Sequence, residues 1–335
     1  MMKLSLMNQL IQTVDGQGRS PLAERLLQPW GFDPGTVKFF RASANCLFVF
    51  RRQGRRCFLR FNHLEERGND SVGDELRLHQ ELLAQGIPVA RPIPSSGGNL
   101  IEAQETAVGP VLAVVFEALE GEQPDLAEMT EGQVEQWGAA LGRLHRVLKT
   151  LPADRWPNRP SWKDLLRLAE SQAAPDESYL REEIDKVAQL LAALPTDSER
   201  AGLIHFDFET DNLVWNDGEV AALDFDDSAR LWYVADIIFA LRDLYSGRAP
   251  DPGDPSFQRF LRGYRSETKL DDAMLAHLPV FIRLHRLFFI GRLRRAVDIA
   301  GDADLPDWLL KLGGKLRGRI DAYCADIRDG AVIVR

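Results

Sequence analysis

The residues that could support chemistry are concentrated in one stretch of the chain, residues 203–227, which reads LIHFDFETDNLVWNDGEVAALDFDD. Asp207 comes two residues after His205, Asn212 comes five residues after Asp207, and Asp224 and Asp226 lie near the end. Phosphoryl transfer requires one carboxylate to orient or deprotonate a hydroxyl, and an amide and a second carboxylate to hold Mg²⁺ on the nucleotide phosphates. The stretch supplies these groups in this order, and it therefore points to phosphoryl transfer.

Two further residues of this region are better explained by structure than by chemistry. We expect His205 to tie its loop to the neighbouring strand rather than to transfer protons. Asp236 opens a predicted helix, where it either caps the N-terminus or braces the loop around Asp207. Both roles of Asp236 are structural, and the sequence leaves them open.

The part of the chain before residue 121 is rich in predicted strands. Gln53-Gly54 is a turn signal between two β-rich runs, so the first three strands are expected to form an antiparallel meander. Apolar spacing predicts a helix that ends at Gly86. The predicted strands are Val37–Phe40, Leu47–Arg51, Cys57–Phe61, Asn99–Ala103 and Val111–Leu119, and the predicted helices are Pro21–Gln28 and Asp74–Gln85.

The rest of the chain is mostly helical by its apolar periodicity. The exception is the chemistry-bearing stretch, where two short β runs flank Asp217-Gly218, a strong hairpin signal. A β-rich front and a helical back indicate two lobes with a cleft between them, residues 1–120 and 121–335. The predicted helices are Gln133–Leu148, Trp162–Glu170, Tyr179–Leu194, Asp236–Tyr245, Pro255–Tyr264, Asp272–Val297 and Trp308–Ile327.

Composition narrows the class of protein. The chain has 335 residues, 45% of them hydrophobic, and a net charge of -9, so it can bury a large core and is not a basic nucleic-acid binder. Three cysteines without a C-x-x-C pair argue against a disulfide framework or zinc site and favour the cytosol. The N-terminus is a poor signal peptide. No apolar stretch is expected to reach the roughly 20 residues that span a bilayer, so we expect no membrane association.

The chemistry-bearing stretch resembles the motifs of the aminoglycoside phosphotransferase and choline kinase superfamily, on the strength of HFDFETDN followed by LDFDD. That superfamily includes homoserine kinase-type and stress-response kinase A-type members. Weaker similarities in the family's order are LRF at 59–61, GIPVARP at 86–92, FEALEG at 116–121, LGRLHR at 141–146 and WYVADIIFAL at 232–241. The resemblance covers most of the chain. It implies an α+β, protein-kinase-like fold with a small β-rich N-lobe and a larger helical C-lobe.

The resemblance also implies a role for each matching position. Asp207 would be the catalytic base, and Asn212 and Asp224 would ligate Mg²⁺, with Asp226 as a further metal contact. The positions that the resemblance assigns to nucleotide binding all lie in the first predicted lobe, and the last of them lie near its end. They are Arg60 on the phosphates, Glu75 as its helix-borne partner, Ser43 and Asn45 in the loop over the phosphates, and Glu117 to Leu119 as the adenine-binding hinge.

The sequence departs from the family pattern at three places. Position 206 is Phe, where the family usually has Gly and protein kinases have Arg, and we expect Phe206 to pack in the core. The metal motif ends in Asp226 rather than Gly, as in small-molecule kinases. Residues 41–45 contain no glycine, so no glycine-rich phosphate loop is present there.

Several alternatives remain open in the sequence. Arg60 could instead be a surface residue of an edge strand, and Glu81 competes with Glu75 as its partner. Basic residues between 283 and 295 form either a solvated face or a wall of the acceptor site that favours an anion. Acidic residues point instead to an amine-bearing acceptor, namely Glu209, Asp211 and Asp227.

We therefore predict an ATP- and Mg²⁺-dependent phosphotransferase, located in the cytoplasm, that phosphorylates a hydroxyl of a small-molecule acceptor. A protein Ser/Thr kinase of the stress-response kinase A type is the second hypothesis. A non-catalytic nucleotide-binding pseudokinase is the third, and the retention of Asp207, Asn212 and Asp224 argues against it. The acceptor, the choice of ATP or GTP, any antibiotic resistance and the oligomeric state are not determined by the sequence.

Overall fold

The computed structural model describes residues 1–299 and 305–330 and divides the chain into two compact units. The first unit contains Met1–Gln80, Ala90–Ala118 and the described part of Arg292–Ile320. The second contains Glu81–Val89, Leu119–Gly291 and the described part of Asp321–Arg335. The predicted division into lobes 1–120 and 121–335 stays a prediction. The last residues of the second predicted lobe, 331–335, lie outside the described residues.

A six-stranded antiparallel sheet dominates the first unit, in the order β1-β2-β3-β6-β4, with β5 also paired to β6. The predicted meander is confirmed as β1 to β3, and β3 is an interior strand between β2 and β6. The elements up to residue 118 are α1 (Leu4–Ile11), α2 (Pro21–Leu27), β1 (Lys38–Ala42), β2 (Cys46–Arg52), β3 (Arg55–His63), α3 (Asn69–Ala84), β4 (Pro92–Ile93), β5 (Glu102–Thr106) and β6 (Gly109–Glu117). The end of α3 from Glu81 belongs to the second unit.

Helix α1 was not expected from the sequence. Leu4, Met7 and Leu10 lie on one face at helical spacing and are buried. The Ser5 amide donates to the carboxylate of Asp298 at 2.9 Å, which satisfies one N–H group of the first turn. The short apolar run at the N-terminus is therefore part of the core of the first unit.

The second unit is mainly helical and contains two small β pairs. Asp217 and Gly218 have φ of 49° and 86°, as the predicted tight hairpin between β8 and β9 requires. The β7–β10 pair was not predicted. The elements after residue 118 are α4 (Glu131–Leu148), α5 (Trp162–Ser171), α6 (Ser178–Ala192), β7 (Ala201–Ile204), β8 (Leu213–Asn216), β9 (Glu219–Ala222), β10 (Ala229–Trp232), α7 (Tyr233–Ala240), α8 (Pro255–Glu267), α9 (Leu278–Ala296) and α10 (Asp307–Arg328). The end of α9 from Arg292 and the part of α10 up to Ile320 belong to the first unit.

Among the described residues, one helical segment, Asp272–Ala296, is long and apolar enough to cross a membrane by length and composition. The expectation that no stretch reaches this length is wrong for this segment. Its most apolar part is 61% buried inside the protein, as in the core helix of a soluble protein. The segment is therefore weak evidence for a membrane span.

Helices α4 and α8 approach so closely that their contact requires glycine. A Cβ atom on Gly138 would lie 1.9 Å from the carbonyl oxygen of Phe260, and one on Gly263 would lie 1.9 Å from the carbonyl oxygen of Glu135. Both atoms that would be struck belong to the backbone, so a side-chain rotation cannot relieve either clash. The two glycines therefore set the distance between the helices.

We expect Gly138→Ala to lower the free energy of unfolding by about 1–3 kcal/mol, because the added methyl group forces the α4 and α8 backbones apart. Gly132→Ala in the same helix is the control. No atom lies within 4 Å of its added Cβ, so this change should stabilise the protein by roughly 0.5–1 kcal/mol. Urea unfolding of both variants measures the difference, and equal stabilities would contradict this account of the contact.

Candidate active site

The loop that carries Asp207 runs from the end of β7 to the start of β8 and is held by Asp236 in α7. The backbone N–H groups of His205 and Phe206 donate to Oδ2 and Oδ1 of Asp236, each at 2.8 Å. Asp236 is fully buried. The hypothesis that Asp236 braces the loop is confirmed.

Two further side chains complete the surroundings of the Asp236 carboxylate. Nε2 of His145 in α4 lies 3.0 Å from Oδ2 of Asp236, and Nδ1 of His145 lies 2.9 Å from the hydroxyl of Tyr264 in α8. Burial lowers the pKa of His145 despite the opposing effect of Asp236. The neutral imidazole therefore donates from Nε2 to Asp236 and accepts the Tyr264 hydroxyl at Nδ1.

His205 ties the Asp207 loop to the segment that precedes Asp224, as predicted. Its Nε2 donates to the carbonyl oxygen of Leu223 at 2.9 Å, and its Nδ1 accepts the Asp207 amide at 3.2 Å. Burial lowers the pKa of His205, which keeps this tautomer neutral. The Leu223 amide in turn donates to the carbonyl oxygen of Asn212 at 2.8 Å. The loops of Asp207 and Asp224 are thereby joined through Leu223.

Asn212 is oriented by Asp207. Its Nδ2 donates to the backbone carbonyl and to Oδ2 of Asp207, each at 3.0 Å. The amide oxygen Oδ1 of Asn212 is thus the atom that can bind a metal. An amide oxygen and a carboxylate such as that of Asp224 are hard ligands of the kind Mg²⁺ binds, with water and phosphate supplying the rest.

Asp224 and Asp226 belong to one tight turn. Asp224 has left-handed backbone angles, φ 57° and ψ 69°, which aspartate tolerates better than most residues. Asp226 is buried in the following 3-10 turn. Within the described residues, no group of three or more His, Cys, Asp and Glu could hold a metal ion. The fit to a metal therefore depends on a small ligand set that includes the amide of Asn212.

Arg159 holds this turn, although no pattern in the sequence pointed to it. Its guanidinium donates to the carbonyl oxygen of Asp226 at 2.9 Å and to that of Phe225 at 3.4 Å, and only 1% of the residue is exposed. Arg159 lies between two helices in a segment without a recognisable motif. The sequence therefore carried no signal for it.

Phe206 packs in the core, as predicted. Its ring centroid lies 5.0 Å from that of Phe239 and 5.3 Å from that of Phe288. Its φ is 77°, a conformation that glycine adopts without strain and a bulky residue adopts at a cost of roughly 1–3 kcal/mol. The backbone therefore has the shape for which the family usually uses Gly, and aromatic contacts offset the strain.

Arg242, two residues after the end of α7, was also missed. Its guanidinium lies 2.8 Å from Oδ1 of Asp207 and 2.5 Å from Oε2 of Glu209. Burial and the Asp207 charge raise the pKa of Glu209 to about 8. Burial lowers the pKa of Arg242, but the two carboxylates outweigh this effect and raise it, so Arg242 stays charged.

In the first unit, Arg60 and Glu75 form a buried bidentate ion pair. The two N···O distances are 2.6 and 2.7 Å, and Arg60 also lies 5.2 Å from the ring centroid of Phe116. Arg60 is buried in an interior strand, so the alternative of a surface residue on an edge strand is wrong. Glu81 instead pairs with Arg155 at 2.6 Å.

The remaining residues predicted on the nucleotide side lie in turns and at a strand end. Ser43 and Asn45 lie in the turn between β1 and β2, where the Ser43 amide donates to the Asn45 carbonyl at 3.0 Å. Glu117 ends β6, and its amide donates to the carbonyl of Arg91 at 2.9 Å. Leu119 follows, and its amide donates to no backbone carbonyl of the described residues. The roles of these residues stay predictions.

Three basic residues of α9 have acidic partners. Arg283 donates to Glu183 at 2.7 Å, Nη1 of Arg286 lies 3.1 Å from Asp326, and Arg295 binds Glu66. These ion pairs favour a structural role for the basic residues over a wall of the acceptor site.

Comparison with known proteins assigns the family. The model of the phosphotransferase enzyme family, APH, matches residues 36–270, and the chain belongs to this family. It is therefore a phosphotransferase of the aminoglycoside phosphotransferase and choline kinase superfamily, as the sequence motifs predicted.

Individual relatives agree with this assignment. An amicoumacin kinase of Bacillus subtilis (strain 168) is 28% identical over 282 residues, 81% of this chain and 83% of the relative. A homoserine kinase of Agrobacterium fabrum is 30% identical over 249 residues, 72% of this chain and 70% of the relative.

A solved structure supports the predicted fold. The amicoumacin kinase hAmiN in complex with AMP-PNP, Ca²⁺ and Ami has a TM-score of 0.75 at 26% identity, covering 94% of this chain and 95% of that chain. The predicted α+β, protein-kinase-like fold is confirmed. The predicted use of ATP and a divalent cation agrees with the AMP-PNP and Ca²⁺ of that complex.

We expect Glu75→Gln to lower the free energy of unfolding by about 3–5 kcal/mol, because it leaves the charge of Arg60 buried without its counter-ion. Glu81→Gln is the control in the same helix. It removes a more exposed ion pair and should cost under about 1 kcal/mol. Denaturant unfolding measures both variants, and a larger loss for Glu81→Gln would contradict the assignment.

We expect Asp224→Ala to abolish the part of nucleotide affinity that depends on Mg²⁺, since the substitution removes the carboxylate that is predicted to bind the metal. Calorimetric titration with AMP-PNP, with and without Mg²⁺, measures how much Mg²⁺ strengthens nucleotide binding. In the presence of Mg²⁺, the variant should bind AMP-PNP at least about tenfold more weakly than the wild type, or by about 1.4 kcal/mol. Glu219→Ala removes an exposed carboxylate from β9 and is the control. A wild-type Mg²⁺ response in Asp224→Ala would contradict the role of Asp224.

Proposed function

We propose that this protein is an ATP- and Mg²⁺-dependent kinase that phosphorylates a hydroxyl group of a small-molecule acceptor by direct in-line transfer. One observation carries the proposal. The His205 imidazole and the Leu223 backbone join the loop of Asp207 and Asn212 to the turn of Asp224. A base and two candidate metal ligands are thus held in one rigid arrangement, as phosphoryl transfer requires.

In the proposed reaction, the acceptor oxygen forms a bond to the γ-phosphorus while the bond from that phosphorus to the β,γ-bridging oxygen breaks. The products are ADP and a phosphomonoester of the acceptor. Asp207 orients the acceptor hydroxyl and receives its proton, which then passes to water. No covalent intermediate on the protein is needed, because the reaction is mainly positioning and electrostatic stabilisation.

The metal and nucleotide roles are assigned to separate groups of residues. Mg²⁺ would be held by Asn212 and Asp224, with Asp226 as a further contact, and it would offset the negative charge of the phosphates. On the nucleotide side, we assign Arg60 to the phosphates, Glu75 to holding Arg60, and Ser43 and Asn45 to the covering turn. The adenine would bind the backbone from Glu117 to Leu119, where the Leu119 amide is the candidate donor.

A small-molecule acceptor is favoured over a protein. Only residues 225–235 separate Asp224 from Asp236, and they form a 3-10 turn, the strand β10 and the first residues of α7. This segment leaves no length for the activation segment with which protein kinases bind a peptide. The relatives named amicoumacin kinase and homoserine kinase make these two compounds the first acceptors to test.

The remaining parts of the proposal follow from composition and from the relatives. We propose a soluble, cytoplasmic enzyme with an N-terminal nucleotide-binding lobe, residues 1–120, and a catalytic C-terminal lobe, residues 121–335. Its net charge of -9 supports the absence of a nucleic-acid partner.

The test uses γ-labelled ATP and Mg²⁺ with homoserine, with amicoumacin and with a cytosolic extract separated by size after the reaction. We expect label in the small-molecule fraction. Asp207→Asn should reduce that label by at least about 10²–10⁴-fold, because the amide cannot accept the hydroxyl proton. Asp217→Asn makes the same substitution in the exposed hairpin turn, where Asn-Gly is equally suitable, and should leave labelling unchanged.

Each other outcome argues against the proposal. Label in the protein fraction that depends on Asp207 would replace it with the protein kinase hypothesis. Labelling that persists in Asp207→Asn at the wild-type rate would contradict the assigned base. ATP binding without any transfer would favour the pseudokinase hypothesis.

A further inference from the structure

Arg242 contacts the proposed base, yet no motif of the sequence includes it. It lies six residues after Asp236, which holds the backbone of the Asp207 loop from the other end of the same segment. The Asp207 loop is therefore held at two points by one segment, which consists of α7 and the two residues after it. Asp236 fixes the amides of His205 and Phe206, and Arg242 reaches the carboxylate of Asp207.

The two oxygens of Asp207 are held by different donors. Arg242 lies 2.8 Å from Oδ1, while Nδ2 of Asn212 donates to Oδ2 at 3.0 Å. Donors on opposite oxygens restrict rotation of the carboxylate about its bond to the Cβ atom. A carboxylate has about four lone-pair sites, so this arrangement still leaves sites for a hydroxyl group.

Arg242 is itself held in place by a second acid and a ring. Oε2 of Glu209 lies 2.5 Å from its guanidinium, Nε2 of His285 in α9 accepts from Nη1 at 3.5 Å, and the ring of Phe289 lies 5.8 Å away. The neighbouring Asp243 adds another negative charge to the cluster. A planar guanidinium fixed on several sides is a rigid support, because its donors have fixed directions.

We propose that Arg242, anchored by Glu209, is a positioning residue that holds the Asp207 carboxylate in the orientation required to accept the acceptor hydroxyl. This inference rests on the proposed function, since it assumes that Asp207 is the base. It assigns to Arg242 an effect on the transfer step and none on nucleotide binding. A purely structural ion pair would instead affect stability alone.

The chain offers a matched structural ion pair. Arg283 and Glu183 join α9 to α6 in a bidentate ion pair, and their side chains are 12% and 13% exposed, against 19% and 16% for Arg242 and Glu209. The contacts of Arg283 do not include Asp207, Asn212 or Asp224. Arg283→Met therefore removes a guanidinium of similar burial without touching the proposed site.

The experiment measures kcat, the KM for ATP and the free energy of unfolding for Arg242→Met, Arg242→Lys, Glu209→Gln and Arg283→Met. The assay uses γ-labelled ATP, Mg²⁺ and the acceptor that gives Asp207-dependent labelling. We expect Arg242→Met to lower kcat by about 100-fold, the effect of a small misplacement of a reacting group, and to leave the KM for ATP within about twofold.

The other variants separate positioning from folding. Arg242→Lys should recover part of the lost kcat, because lysine restores the positive charge without the fork geometry. Glu209→Gln should lower kcat less than Arg242→Met, since Arg242 keeps its contact with Asp207. Arg283→Met should lose stability and keep a wild-type kcat. If Arg242→Met does not fold, the kcat of Arg242→Lys and Glu209→Gln decides the question.

Three results would overturn the inference. They are a wild-type kcat in Arg242→Met, a loss confined to the KM for ATP, and an equal loss of kcat in Arg283→Met. For an unfolded Arg242→Met, wild-type kcat values in both Arg242→Lys and Glu209→Gln would overturn it as well. A wild-type enzyme without Asp207-dependent transfer is a different failure, because it would refute the proposed function before any Arg242 variant is compared.

Discussion

The buried carboxylate of Asp236 is the constraint on which the site depends. Burying a carboxylate costs several kcal/mol unless hydrogen bonds and charges compensate. Here two backbone amides of the Asp207 loop and the imidazole of His145 surround it. The loop must therefore adopt one backbone conformation, because any other would leave the carboxylate buried without these donors.

The same constraint explains why the helices of the second unit approach as they do. His145 lies in α4 and its partner Tyr264 lies in α8, so the donor to Asp236 is positioned by the packing of these two helices. Gly138 and Gly263 permit that packing, since a Cβ on either would strike the backbone of the opposite helix. Helix packing, the buried imidazole and the conformation of the Asp207 loop are thus parts of one arrangement.

The sequence predicted the parts that depend on local patterns. The β8–β9 hairpin followed from Asp217-Gly218. The resemblance to the family implied the pairing of Arg60 with Glu75, while the sequence left Glu81 open as an alternative partner. The family was evident from the spacing of Asp207, Asn212 and Asp224, and Asp236 was recognised as structural without a choice between its two roles.

The contacts that the sequence did not predict join residues far apart in the chain. Arg159 reaches the carbonyl of Asp226, and Arg242 reaches Asp207 and Glu209, from segments without motifs. Arginine is common and these contacts depend on tertiary packing, so no local pattern distinguishes them. The positive φ of Phe206 was not predicted for a different reason, which is local rather than tertiary. A bulky residue gives no sign of a backbone shape that glycine favours, and only the departure from the family pattern marked the position.

In the proposed reaction, the phosphoryl group passes directly from the nucleotide to the acceptor, and Asp207 accepts a proton rather than forming a bond to phosphorus. The stereochemistry at phosphorus tests this proposal most directly. ATP made chiral at the γ-phosphate with oxygen isotopes would be used to phosphorylate the acceptor, and the configuration of the product would be determined. Direct in-line transfer predicts inversion, whereas retention would show two successive displacements and would contradict the account.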